Sequence, residues 1–162
     1  MYKDQGAALG GFPAFPGEKP GSTGTEFERL VGTVISGINF NDNRLLEVEG
    51  RDRDGHLRWR VSVPGSARFT FSHSSPDRAW LVEANFDAGG LSRRSEQAMI
   101  LAMCGAVVQS FRVERGALFI RSDDARAIEV PAELNEDGIV IHMLPDEAGG
   151  ASTRIVVSAG SE

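Results

Sequence analysis

Cysteine occurs once in this chain, at Cys104, so no internal disulfide framework can hold the fold. Cys104 lies in the apolar run Ile100 to Val108, without a lysine, arginine or histidine within seven residues. It reads as a small packed hydrophobe rather than a reactive thiol. The scarcity of cysteine agrees with a reducing, cytoplasmic setting. No apolar stretch reaches the roughly 20 residues of a membrane span. The first residues carry a single lysine and no continuous apolar region, unlike a signal peptide. Positive charge is also short: 17 Lys and Arg against 23 Asp and Glu leave a net charge of -6. That excludes general binding to nucleic acid, which needs cations to neutralise phosphates, and suits a basic partner.

Catalytic and metal-binding motifs are missing as well. His56, His73 and His142 stand far apart, with no ligand spacing to one another or to the cysteine, so no metal and no cofactor is expected. Asp52-Arg53-Asp54-Gly55 begins like a calcium loop, but Leu57 and Val63 stand where glycine and glutamate are needed. It reads as a hairpin turn. In Ser72-His73-Ser74-Ser75, adjacent strand residues point to opposite faces, so no nucleophile–base pair forms there. Arg51, Arg53, Arg58 and Arg60 are the one basic stretch, interleaved with Asp52 and Asp54 and read as a charged solvent face.

At 162 residues the chain is long enough to bury a core of its own. Residues 1–24 hold six of the 19 glycines and three of the seven prolines, the composition of a flexible leader. Within it, Phe12 and Phe15 are candidate docking residues. A single globular domain is expected over 25–162. Thr25-Glu26-Phe27-Glu28 matches a capping box and opens a short helix ending at Gly32. Alternating strands follow near Thr33 to Asn41, Arg44 to Gly50, His56 to Val63, Ala67 to His73 and Ala79 to Phe86. Trp59 and Trp80 share faces with apolar neighbours and are expected in the core, whereas His56, Arg58 and Arg60 should face out.

The pattern then restarts. A helix over Ser92 to Cys104 precedes strands near Ala106 to Glu114, Ala117 to Ser122, Arg126 to Pro131, Ile139 to Leu144 and Thr153 to Ser158. Gly32 aligns with Gly105, Val34 with Val107, Ile38 with Phe111 and Phe40 with Val113. Two halves, 25–90 and 92–159, each of one helix and about five strands, point to an internal duplication. Short turns favour antiparallel neighbours. The expected class is α+β, β-dominated, with antiparallel sheets covered by two helices.

Leu30-Val31-Gly32, Val34, Ile38, Leu46 and Val48, and again Gly105, Val107, Phe111, Leu118 and Ile120, form a pattern of helix, glycine and alternating hairpin. This pattern resembles that of small bacterial β-rich domains, among them immunity proteins that neutralise polymorphic toxins. The resemblance implies a non-enzymatic, acidic protein that binds and blocks one partner protein. The contact residues expected are Phe12, Phe15 and the turn acids Asp123, Asp124, Asp146 and Glu147. Two alternatives stay open. One is a carrier of a small apolar ligand in a pocket lined by Phe69, Phe71, Trp80 and Phe86. The other is an enzyme drawing on His73, His142 and Glu83.

Overall fold

Residues 25–41, 44–88, 94–123, 125–145 and 150–159 are described by the structure, a computed structural model. Among the described residues two α-helices, α1 (Thr25–Glu28) and α2 (Arg94–Leu101), accompany ten strands. In the first half these are β1 (Val34–Asn39), β2 (Leu46–Arg51), β3 (Leu57–Val63), β4 (Ser66–Ser75) and β5 (Arg78–Asp87). The second half contributes β6 (Val108–Glu114), β7 (Ala117–Ser122), β8 (Arg126–Pro131), β9 (Ile139–Met143) and β10 (Thr153–Val157). Period-two alternation of apolar residues makes each a strand with one buried face; β3 buries Trp59, Val61 and Val63 this way.

All pairing is antiparallel and falls into two five-stranded sheets, β1-β2-β3-β9-β10 and β5-β4-β8-β7-β6. The order maps onto itself when each strand is replaced by the one five places away. A meander of three strands is completed in each sheet by two strands from the other half of the chain. One inward row in the first sheet runs Ile38, Val48, Val61, Ile141, Ile155. Its counterpart in the second runs Phe111, Ile120, Ile128, Phe69, Ala84. The inner faces meet in one core, where Trp59 lies edge-on to Phe111 at 5.2 Å and Phe40 tilts against Phe86 at 6.2 Å. Phe27 of α1 packs on Phe111, and α2 packs against β5 and β1.

The sheets are stitched along one edge. Gly32 N–H donates to Val108 O and Val108 N–H to Thr33 O, both at 2.8 Å. Gly105 N–H donates to Ile35 O at 2.8 Å and Ile35 N–H to Ala106 O at 2.9 Å. The four bonds are related by local two-fold symmetry about the bridge between Val34 and Val107. Gly32 and Gly105 enter this ladder at φ +92° and +95°, a left-handed conformation that only glycine adopts cheaply. Register shifts at Ser36 in β1 and Gln109 in β6 stand at matching places.

Three sequence expectations are corrected. Trp80 is 46% exposed, not core. Its face is the inner one, but β8 pairs only with Arg68 to Phe71 of β4, so the outer part of the β4–β5 hairpin projects past its own sheet. Arg58 is buried rather than outward-facing. Gly50 pairs with Trp59 and Arg51 with Leu57, leaving Arg58 as an extra residue whose side chain the bulge re-aims. Its Nη1 lies 3.7 Å from Asp52 Oδ2. Cys104 is exposed, because α2 ends at Leu101 and the following turn buries Met103 instead.

Candidate functional site

The groove that stands out is built by one buried amide. Asn135 follows the 3-10 turn Ala132–Leu134 and is completely inaccessible to solvent. Its Oδ1 accepts from Gly65 N–H at 2.6 Å and Ser66 N–H at 3.1 Å. Its Nδ2 donates to Pro131 O at 2.7 Å and Ser66 O at 3.0 Å. All four hydrogen-bonding sites of the amide head find backbone partners, so the turn after β8 is clamped to the turn before β4. Gly65 permits the approach: a Cβ there would stand 1.9 Å from Leu134 O.

The clamp leaves Leu134 pointing out, 56% exposed. Leu134 lines two open cavities. One, of about 180 Å³, is walled by Ser66, Arg68, Phe86, Asp87, Glu129 and Pro131 among others. The other, of about 340 Å³, is walled by Pro64, Gly65, Glu133, Glu136 and Asp137. Five carboxylates therefore surround one exposed leucine. The single guanidinium among the lining residues, Arg68, is turned to Glu129 at 3.4 Å and Glu83 at 3.9 Å. A surface of this chemistry can accommodate a cationic group on an aliphatic stem.

Of the residues expected from sequence, Asp123 is exposed on the turn between β7 and β8, outside this groove. Phe12, Phe15, Asp124, Asp146 and Glu147 lie outside the described residues. The side chain of Thr25 does too, so the capping box is not described. In sequence, nothing separates Glu133, Glu136 and Asp137 from other acidic residues near turns. Asn135 beside them carries no such signal either, because its burial is decided by the tertiary structure.

The four residues expected to line an apolar pocket are placed differently from one another. Phe69 and Phe86 are both inaccessible within the core, Phe71 packs against it, and Trp80 stands outside. Nor do the residues suspected of catalysis come together. His73 stacks on Trp80 at 5.9 Å on the inner face, whereas Glu83 points to the outer face beside Arg68. His142 lies on the other sheet, opposite Arg60 and Arg154.

Asp52, Asp54 and His56 bring three possible ligand atoms within 4.8 Å. The cluster is a turn motif: Asp52 Oδ1 already accepts from Asp54 N–H at 2.9 Å and His56 N–H at 3.0 Å. These bonds, that from His56 foremost, hold the Asp52 carboxyl below its ordinary value of 3.8, against some desolvation and with help from the positive fields of His56 and Arg58. The nearby arginines are engaged locally, Arg60 with Glu49 at 2.6 Å and Arg51 with Gly55 O at 2.8 Å. Desolvation raises the Cys104 thiol, opposed more weakly by Arg126, a shift away from the reactive thiolate. Among the described residues no helix is long and apolar enough to cross a membrane. No family model, curated protein or solved structure matches the chain.

Proposed function

We propose that this protein is a non-enzymatic binding protein that docks a basic partner protein in the groove around Leu134 and blocks it, as immunity proteins block toxins. The observation that carries this reading is the exposed Leu134 ringed by Asp87, Glu129, Glu133, Glu136 and Asp137. An apolar anchor within an acidic rim matches the anatomy of protein interfaces, with burial at the centre and charge selecting the partner at the edge. The overall charge of -6 adds long-range attraction for a basic surface.

The same reading includes an origin by duplication. Its support is the five-strand shift of the sheet order, the two-fold ladder about Val34 and Val107, and the matching bulges at Ser36 and Gln109.

The test is affinity capture from lysate of the source cells with the natural chain and with a Leu134→Arg/Glu136→Lys variant. One stoichiometric basic protein, retained by the natural chain and lost by the variant, is expected. Equal retention by both would remove the groove from the function.

A further inference from the structure

The edge of the second sheet carries an unexplained feature. β5 runs ten residues without proline, glycine or a register shift against β4, and lies last in its sheet. Its residues Arg78 to Glu83 are all exposed, including Trp80, Leu81 (62%) and Val82. The other outer edge, β10, is five residues long and carries the exposed Arg154. Natural sheets blunt long edges with charge, proline or bulges, because an open apolar edge recruits another strand. β5 lacks these devices along Ala79 to Val82.

Backbone direction defines the open stretch. Asn85 N–H points away from β4, reaching Glu96 Oε2 on α2 at 3.3 Å. By the alternation of an antiparallel pair, the N–H and C=O groups of Ala79, Leu81 and Glu83 point outward as well. The open edge is bounded by the turn at Pro76-Asp77 on one side and by Glu96 on the other, and its centre is Leu81.

We infer that this edge pairs with β5 of a second copy of the chain, antiparallel and two-fold about Leu81. In that register Ala79 meets the second copy's Glu83, so all three outward residues of each copy are used. On the inner face Trp80 lies opposite Val82 of the second copy, and on the outer face the two Leu81 side chains meet. Charge agrees with this register. Arg78 of each copy arrives opposite Ala84 of the other, next to Asn85, whose N–H is held by the Glu96 carboxylate. A parallel arrangement would set Arg78 against Arg78. The two five-stranded sheets become one ten-stranded sheet, an isologous interface.

The test uses the full chain in size-exclusion chromatography with light scattering over a wide concentration range, together with residue-resolved hydrogen exchange. A concentration-dependent dimer is expected, in which the amides of Ala79, Leu81 and Glu83 become protected only as the dimer forms. Leu81→Lys places two ammonium groups at the two-fold axis and should weaken the dimer at least about tenfold, with the monomer's melting temperature unchanged. Leu81→Pro removes an outward N–H that β4 does not use and serves as the second variant. Leu134→Arg should leave the dimer intact, which separates this interface from the groove. A chain that stays monomeric at high concentration overturns the inference, as does a dimer in which those three amides exchange freely. So does a dimer indifferent to both Leu81 substitutions.

Discussion

Trp59 donates its indole N–H to the hydroxyl of Thr33 at 2.8 Å, and both residues are buried. Thr33 Oγ1 in turn donates to Leu30 O at 2.6 Å, tying the end of the first helical segment to the middle of β3. The indole also needs Gly50 across the strand pair, where a Cβ would fall 2.0 Å from Nε1. One large side chain thus holds a helix end, two strands and the opposing Phe111.

Trp59→Ala is expected to destabilise the fold by about 3–5 kcal/mol through the cavity it opens. Thr33→Val, which strands the indole N–H, should cost about 1–3 kcal/mol. Chemical denaturation followed by circular dichroism measures both. If the hydrogen bond matters, the double variant Trp59→Phe/Thr33→Val should cost less than the sum of Trp59→Phe and Thr33→Val.

Asn135→Ala removes four hydrogen bonds and leaves backbone groups of Gly65, Ser66 and Pro131 to find new partners. A loss of at least about 2–3 kcal/mol is expected, and a near-neutral melting temperature would show that the clamp is dispensable. Asn135→Asp should be no better. A carboxylate cannot donate to Pro131 O or Ser66 O, and its charge would be buried.

Gly32→Ala and Gly105→Ala meet no atom within 4 Å, so steric overlap contributes nothing. The positive φ alone predicts a loss of about 1–2 kcal/mol at each. The two-fold relation of the sites predicts near-equal values, readable from urea midpoints. A marked inequality would mean that the two ladder entrances are not equivalent in energy.

The depressed carboxyl of Asp52 has a sign that follows from linkage. A group whose folded value is below its unfolded value contributes stability above the unfolded value, and loses it as pH falls through the folded one. Melting temperatures should therefore carry an Asp52 contribution above the ordinary 3.8 that fades at lower pH. Asp52→Asn keeps an acceptor for Asp54 N–H and His56 N–H and should flatten this part of the profile. The natural chain and the variant compared across the acid range provide the check.

Alternation and turn residues made nearly every strand legible, because a half-buried strand records its inner face at every second position. Ala117–Ser122 and Arg126–Pro131 fall where the sequence places them. The glycines at 32 and 105 announced the ends of two helical segments through their backbone freedom alone. These are local properties, determined by the residue and its near neighbours. The sequence could not show that β4 and β5 leave their own half to complete the other sheet, since pairing between distant strands depends on how two faces share one core. Nor could it show that Trp80 stands beyond the end of β8, that a bulge turns Arg58 inward, or that Asn135 clamps Gly65 beneath Leu134. Each depends on what lies across from the residue in space, and only the tertiary structure decides that.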